Sequence, residues 1–84
     1  MTNWHVYIVL CRDKTLYTGI TKNLEKRIKE HNTSKKGAKY TRGRRPVKLV
    51  YSEQFGTRVE AARREAQIKK MPRAQKKGLI RDNG

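Results

Sequence analysis

Two tyrosines, an arginine, a histidine and a glutamate are the side chains of this sequence whose types and spacing suggest a reaction site. Tyr7 and Tyr17 are ten residues apart, Arg27 and His31 are four apart, and Glu65 follows much later. The planar guanidinium of arginine suits phosphate oxygens, and an imidazole can exchange protons near neutral pH. A carboxylate can hold a cation beside a phosphate. The set therefore indicates phosphate chemistry, provided that the fold brings these residues together.

Arg27 and His31 are neighbours on the surface of a predicted helix, because residues at i and i+4 lie on one face. At about 100° per residue they border the apolar stripe of Leu24 and Ile28 rather than the fully solvated face. Each residue also has an ordinary structural interpretation. Arg27 can be a surface arginine that lays its stem along the protein. His31 can be a cation that interacts with the dipole at the C-terminal end of the helix.

Glu65 is the acidic residue that we expect to hold a metal ion. Its helical neighbours Ala61, Ala62 and Ile68 place it within a weakly apolar face. Mg²⁺ suits a sparse site of this kind, because it keeps several water ligands and often takes one or two protein carboxylates. The 7 acidic residues are scattered along the sequence, so we expect one metal ion at most. The alternative is an ion pair of Glu65 with a nearby cation: Arg58, Arg64 or Lys69.

An excess of positive charge is the strongest signal in the composition. The 84 residues include 22 basic and 7 acidic side chains, a formal net charge of +15, whereas a small domain needs a net charge of only about 2 to 8 for solubility. Seven of the basic residues stand between positions 35 and 48 with no acidic residue among them. This excess predicts a polyanionic partner, nucleic acid before an anionic membrane surface. A merely solvated surface is the other interpretation.

Cysteine usage and hydropathy indicate the cellular environment that the protein is suited to. The single cysteine, Cys11, excludes an internal disulfide, and with only His5 and His31 it cannot complete a zinc site. These features favour a reducing, cytoplasmic environment. The longest apolar run, residues 6–10, is too short to cross a membrane.

A β-hairpin must position the two tyrosines. Residues 5–11 and 16–20 are rich in β-branched and aromatic side chains and read as two strands around a turn at residues 12–14. A three-residue turn places Tyr17 opposite Val9 and Tyr7 opposite Gly19, so that both phenols share one face as diagonal neighbours. A turn of two or four residues would put the phenols on opposite faces. We predict the three-residue turn.

The remaining elements complete a small α+β domain. We predict a helix over 24–32 with Asn23 as N-cap, a loop over 33–46 with a helical turn near Tyr40, and a third strand over 47–52. Thr57 and Glu60 form a capping-box pattern that opens a helix to about residue 71, and a last helix follows over 73–81. The order β-β-α-β-α-α predicts a three-stranded antiparallel sheet flanked by helices in one domain, residues 1–84.

The ordered set of motifs resembles the GIY-YIG nuclease superfamily. The first motif corresponds to the segment VYI around Tyr7, and the second to YTG, which begins at Tyr17. The pair Arg27 and His31 is similar to the helix of this family, and REAQIK at 64–69 is similar to the segment that carries its metal-binding glutamate. The stretch KYTRGRRP at 39–46 resembles the small stand-alone bacterial members. The resemblance covers residues 4 to 80.

The resemblance implies a reaction and a role for each residue. The reaction would be in-line hydrolysis of a DNA phosphodiester, with Tyr7 and Tyr17 at the scissile phosphate. Tyr17 or a metal-bound water would accept a proton from the nucleophile, and Arg27 would stabilise the phosphate charge. Glu65 would hold a single divalent metal, which we expect to be Mg²⁺. His31 would support proton transfer or orientation.

Substrate binding is expected from two further places. Gly19 would leave space beside the phenols for a ligand to approach the backbone. The basic stretch would contact the nucleic acid through five residues: Lys39, Tyr40, Arg42, Arg44 and Arg45.

Three hypotheses for the function follow. The first is a metal-dependent DNA endonuclease of low sequence specificity in repair or DNA processing, with DNA preferred over RNA and a protein partner as the source of any specificity. The second is a non-catalytic nucleic-acid-binding module that retains the fold. The third is an interaction protein whose basic face docks on anionic partners. Binding alone does not separate them, because a chain of net charge +15 binds nucleic acid in any case.

Overall fold

Six elements of secondary structure follow one another in the computed structural model, which describes residues 3–33, 41 and 43–83. They are β1 (Trp4–Leu10), β2 (Leu16–Thr21), α1 (Leu24–Thr33), β3 (Lys48–Phe55), α2 (Arg58–Lys69) and α3 (Arg73–Asn83). The strands form one antiparallel sheet in the order β2-β1-β3. The predicted α+β class and its element order are confirmed.

The turn between β1 and β2 has the predicted three residues. The Cys11 backbone amide donates to the Thr15 carbonyl at 2.8 Å, and the Lys14 amide donates to the Cys11 carbonyl at 3.0 Å. Asp13 accepts hydrogen bonds at one carboxylate oxygen from the Thr15 amide at 3.2 Å and from its hydroxyl at 2.6 Å. Lys14 closes the turn in the left-handed region, with φ of 72°. A three-residue hairpin loop needs one residue in this conformation.

This turn fixes the register that brings the phenols together. Tyr7 pairs with Gly19 and Val9 pairs with Tyr17, as predicted. Alternation along β1 then places Tyr7 on one face of the sheet and Val6 and Ile8 on the other. The register is therefore the first structural requirement of the candidate site.

The central strand β1 separates two hydrophobic clusters. On one face Val6, Ile8 and Tyr51 are buried against α2 and α3, and α2 contributes Ala61 and Ile68 as buried residues. On the other face Leu24 and Ile28 of α1 pack against four buried residues: Tyr7, Val9, Cys11 and Val47. The sheet is thus covered on both sides, and the predicted site residues of β1 and β2 lie on the face of α1.

The third strand is longer than predicted and contains a β-bulge. It runs to Phe55, beyond the predicted end at residue 52, because Trp4 at the start of β1 pairs with Phe55. Ile8 pairs with Tyr51 while the next residue, Val9, pairs with Leu49, so one residue of β3 is left over between them. The alternation of residues along β3 does not reveal where the strand ends, because its extension to Phe55 depends on the length of the partner strand β1.

The predicted caps of α1 and α2 are confirmed. The Lys26 amide donates to the side-chain oxygen of Asn23 at 3.1 Å. At α2 the Glu60 amide donates to the Thr57 hydroxyl oxygen at 3.2 Å, and that hydroxyl donates to the Glu60 carboxylate at 3.0 Å. Helix α2 ends at Lys69, two residues earlier than predicted, and α3 begins directly after Pro72.

The three helices within residues 3–33 and 43–83 are short. The longest, α2, has 12 residues. Within the described part of the chain no helix combines the length and the apolar character that crossing a membrane requires.

Candidate functional site

Three rings converge on the α1 face of the hairpin. The ring centroids of Tyr7 and Tyr17 are 6.5 Å apart, and that of His31 is 5.8 Å from Tyr7 and 5.4 Å from Tyr17. Tyr7 and His31 expose only 1% and 0% of their surface, whereas Tyr17 is partly exposed. The hairpin and α1 therefore build a site with two buried groups and one phenol at its edge.

A chain of hydrogen bonds passes through the buried imidazole. The Tyr7 hydroxyl lies 2.8 Å from Nε2 of His31, and Nδ1 of the same ring lies 2.9 Å from the hydroxyl oxygen of Thr41. Thr41 is fully buried. It was not predicted from the sequence, because it stands in a stretch without apolar periodicity. Its position inside KYTRGRRP was the one signal that could have pointed to it.

Burial sets the protonation of this pair. It raises the pKa of the Tyr7 hydroxyl to about 12, and the hydrogen bond from Arg27 acts in the opposite direction. Burial also lowers the pKa of His31 to about 4; the nearby positive charges of Arg27 and Arg45 act the same way, and Glu30 opposes them. At neutral pH both groups are therefore uncharged. The interpretation of His31 as a helix-end cation is wrong, because desolvation removes its charge.

Arg27 borders the site as its place on the helix predicted. Its side chain is 25% exposed and forms an ion pair with Glu30 at 3.2 Å. Its guanidinium also lies near enough to the Tyr7 hydroxyl to lower the pKa of that phenol. The ion pair with Glu30 therefore holds Arg27 at the edge of the site rather than extended into solvent.

Gly19 is required for a different reason than the one expected. A Cβ atom built at Gly19 would lie 2.5 Å from the hydroxyl oxygen and 2.7 Å from Cζ of Tyr7. The space above the glycine is therefore occupied by the Tyr7 phenol and is not open to a ligand. We correct the expected substrate-binding role of Gly19: the missing side chain lets Tyr7 lie across β2 and reach His31.

Glu65, the expected metal ligand, is paired with a neighbouring cation. Its carboxylate is 22% exposed and forms an ion pair with Lys69 at 3.4 Å, one of the three pairings considered from the sequence. Arg64 pairs instead with Glu53 at 3.1 Å. Among the other influences on the pKa of Tyr7, the charge of Glu65 acts through space to raise it.

A metal ion at this place would have few protein ligands. Residues 3–33, 41 and 43–83 contain no group of three histidine, cysteine or acidic side chains that could bind a metal together. A lone, partly exposed carboxylate such as that of Glu65 fits Mg²⁺ only if the ion keeps most of its waters. The donor set is thus compatible with one hydrated ion and unsuited to a two-metal centre.

Only part of the predicted nucleic-acid contact lies within the described residues; Lys39, Tyr40 and Arg42 lie outside them. Arg44 pairs with Asp13 at 2.8 Å, and its carbonyl accepts a hydrogen bond from the Arg12 amide at 2.8 Å. Arg45 donates to the main-chain carbonyl of His31 at 2.5 Å. The two residues are therefore tied to the hairpin turn and to the end of α1.

A second connection ties α1 to the start of β3. The side chain of Asn32 donates to the Val47 carbonyl at 3.1 Å and accepts from the Val47 amide at 2.7 Å. These two hydrogen bonds fix α1, the helix that carries Arg27 and His31, in addition to its apolar packing on the sheet.

The hairpin turn is joined to α3 in a similar way, because Arg73 donates to the carbonyl of Lys14.

The geometry is suited to holding an anion at the edge of a buried, neutral hydrogen-bonded pair. Arg27 supplies a fixed positive charge and a planar set of donors. The partly exposed Tyr17, whose ring lies near those of Tyr7 and His31, adds a second phenol at this edge. A phosphate group matches the positive charge and the donors of Arg27.

Known proteins that resemble this chain agree on one family. A model of the GIY-YIG catalytic domain matches residues 3–78. A UPF0213 protein from Syntrophus aciditrophicus is 58% identical over 83 residues, which make up 99% of this chain and 95% of that protein. A UPF0213 protein from Clostridium perfringens is 62% identical over 76 residues, 90% of this chain and 81% of its own length.

Two solution NMR structures have the same fold. One is a UPF0213 protein from Bacillus halodurans, with a TM-score of 0.63 and 45% identity. The other is a protein from E. faecalis, with a TM-score of 0.67 and 42% identity. Each comparison covers 98% of this chain and 86% of the other.

Proposed function

The chain belongs to the GIY-YIG family, and on this premise we propose that it is an endonuclease that hydrolyses DNA phosphodiester bonds with the help of one divalent metal ion. One observation carries the proposal. The partly exposed Tyr17 and the Arg27 guanidinium lie at the edge of the buried Tyr7–His31 pair.

Arg27 is the group that binds and stabilises the phosphate. Phosphodiester hydrolysis concentrates negative charge on the phosphate oxygens in the transition state, and a preorganised cation stabilises that charge. The ion pair with Glu30 holds the guanidinium in advance, close to the Tyr7 hydroxyl. Little reorganisation is then needed when the substrate binds.

The two tyrosines have different roles in this proposal. Tyr7 exposes 1% of its surface, so it supports Arg27 from behind and does not itself meet the phosphate. Tyr17 is partly exposed and is the phenol that reaches the reacting groups. It would orient the attacking water or accept its proton. His31 keeps Tyr7 in place through their hydrogen bond.

Glu65 is the residue that would hold the metal ion. When bound, a divalent cation supplies positive charge to the phosphate oxygens and lowers the pKa of a coordinated water. Glu65 would exchange its ion pair with Lys69 for this ion, and Mg²⁺ is the ion that suits a single carboxylate.

The substrate would be DNA bound with little sequence preference. The net charge of +15 supplies affinity for phosphates without reading bases. A role in DNA repair or processing, with a protein partner that supplies specificity, completes the proposal. The reducing, cytoplasmic location stays a prediction.

The decisive experiment compares the wild type with Glu65→Gln on nicked, branched, single-stranded and duplex DNA, with Mg²⁺ and with EDTA. We expect cleavage that requires Mg²⁺ and is lost in Glu65→Gln, while DNA binding is retained. Glu60→Gln is the matched control, since it removes a carboxylate from the same helix and glutamine is accepted at this position of a capping box. Wild-type protein that binds every substrate and cuts none would contradict the proposal.

A non-catalytic nucleic-acid-binding module is the second candidate function, and the ion pair of Lys69 with Glu65 favours it. In such a module Lys69 would permanently neutralise the carboxylate, and Mg²⁺ would compete poorly for it. The two functions differ in the response to Lys69→Gln. Release of Glu65 should lower the Mg²⁺ concentration needed for cleavage by the endonuclease, whereas a module would stay inactive.

A further inference from the structure

The buried imidazole of His31 is held at both of its nitrogens. Nε2 faces the Tyr7 hydroxyl at 2.8 Å and Nδ1 faces the Thr41 hydroxyl at 2.9 Å. None of the three residues exposes more than 1% of its surface. Unpaired hydrogens are unfavourable at such depth, so the direction of each hydrogen bond is strongly constrained.

The surroundings of the three groups favour one set of directions. The Tyr7 hydroxyl lies 2.8 Å from Nε2 of His31, and the nearby Arg27 guanidinium, which has donors only, favours a phenol oxygen that accepts. Donation of the Tyr7 proton to Nε2 of His31 agrees with both. A neutral imidazole that accepts at Nε2 carries its own proton on Nδ1, and this proton is donated to Thr41.

We propose that Thr41 is a positioning residue: by accepting the Nδ1 proton it fixes the tautomer of His31 and thereby turns the Tyr7 oxygen toward Arg27. The consequence for catalysis rests on the proposed endonuclease function, whereas the tautomer itself does not. With the opposite tautomer His31 would donate to Tyr7 and compete with Arg27 for the phenol oxygen. The guanidinium that binds the phosphate would then lose an acceptor beside it.

Arg45 strengthens this connection from the same stretch of chain. It donates to the main-chain carbonyl of His31 at 2.5 Å, while Thr41 holds the ring. This stretch thus contacts His31 at two points, and Arg44 fixes it to Asp13 of the hairpin turn. Thr41, Arg44 and Arg45 in this way take part in building the site, in addition to the contact with DNA that is expected of the two arginines.

The test replaces Thr41 by valine, which has nearly the same shape but no acceptor oxygen, and by serine, which keeps the hydroxyl. Two-bond ¹⁵N–¹H correlation spectra of histidine-labelled protein at pH 7 identify the tautomer directly and need no activity. We expect His31 protonated at Nδ1 in the wild type and in Thr41→Ser. In Thr41→Val we expect protonation at Nε2.

Cleavage is then measured under single-turnover conditions with saturating DNA. Removing a partner that orients a functional imidazole lowers activity by roughly 10- to 100-fold in metal-bound histidines. We expect a decrease of this order in Thr41→Val, with DNA affinity retained and with recovery in Thr41→Ser.

Several outcomes would overturn the inference. Wild-type His31 protonated at Nε2 contradicts it, and so does an unchanged tautomer in Thr41→Val. Equal loss of cleavage in the valine and serine variants would also contradict it. If the wild type cuts no DNA while the tautomers behave as expected, the endonuclease proposal fails and the assignment of Thr41 to the tautomer stands.

Discussion

At the scale of single residues, Gly19 and Tyr7 depend on each other. A side chain at Gly19 would lie 2.5 Å from the Tyr7 hydroxyl oxygen, so Gly19→Ala must displace the phenol from His31. We expect the unfolding free energy to fall by about 1–3 kcal/mol, typical of an overpacked site, and cleavage to fall strongly. Urea denaturation and single-turnover kinetics measure the two effects.

The control for this substitution is Gly56→Ala. The nearest atom to a Cβ at Gly56 is a carboxylate oxygen of Glu60 at 3.9 Å, an ordinary contact, so stability should change by no more than about 0.5 kcal/mol. Equal effects of the two substitutions would show that the phenol is not the reason for glycine at position 19.

The lowered pKa of His31 predicts how the stability of the protein depends on pH. Its pKa is lowered from 6.5 to about 4 in the folded protein, so the unfolded chain binds more protons between these values. Stability is therefore full above pH 6.5 and falls as the pH decreases toward 4. Between pH 7.5 and pH 5 we expect this group to lower the unfolding free energy by about 2 kcal/mol, measured by urea denaturation at both pH values.

Two measurements separate His31 from the carboxylates that titrate in the same range. The pH-dependent decrease in stability should be smaller in His31→Gln than in the wild type by this amount. An NMR titration of the His31 ring protons gives its pKa directly. A midpoint near 6.5 would show that the imidazole is accessible to water and would contradict the buried pair.

The residue types of the site were predictable, but their partners were only partly so. Tyr7 and Tyr17 could be brought together from the sequence, because strand alternation and one turn length decide their faces. Thr41 could not be predicted, since its contact with His31 crosses a stretch that follows no repeating pattern.

At the scale of elements, the hairpin turn contains a conformation that lysine does not favour. Lys14 has φ of 72°, which is unfavourable by about 1–2 kcal/mol for a residue with a side chain other than asparagine or aspartate. Lys14→Gly should therefore raise the unfolding free energy by up to about 1 kcal/mol. Thermal and urea denaturation of both proteins measure this change.

Lys14→Ala is the matched comparison, since it shortens the side chain and keeps the strain. It should leave stability close to that of the wild type. If alanine stabilises the protein as much as glycine does, the removed lysine charge is the cause and backbone strain is not.

Element types were predictable from caps and patterns, whereas element ends were not. Asn23 and Thr57 marked the starts of α1 and α2 in the sequence and in the structure. The end of β3 at Phe55 was missed, because Trp4 of another strand determines it. Local signals thus define where an element starts, and tertiary pairing defines how far it continues.

At the scale of the whole molecule, the two faces of the sheet should contribute unequally to DNA binding. The site lies on the α1 face, and α3 covers the other face. Removing charges from the basic stretch with Arg42→Gln and Arg44→Gln should reduce the slope of log affinity against log salt. The expected reduction is about 0.9 for each DNA phosphate that the variant no longer neutralises. Fluorescence anisotropy at several salt concentrations measures the slope.

The matched control removes two exposed positive charges from α3, with the substitutions Lys77→Gln and Arg81→Gln. We expect the slope to change less in this variant, although its net charge is the same. Equal reductions would mean that DNA binds diffusely over the basic surface, without preference for the face of the site.

The hairpin turn has a consequence for how this protein can evolve. Surface loops usually accept insertions and deletions freely. Here the turn sets the faces of both tyrosines, and Arg44 and Arg73 anchor a loop and a helix to it. One added residue would move Tyr17 to the opposite face and misplace both anchors. Among functional relatives this turn should therefore vary in residue identity and keep its length, which an alignment of their loop lengths can check.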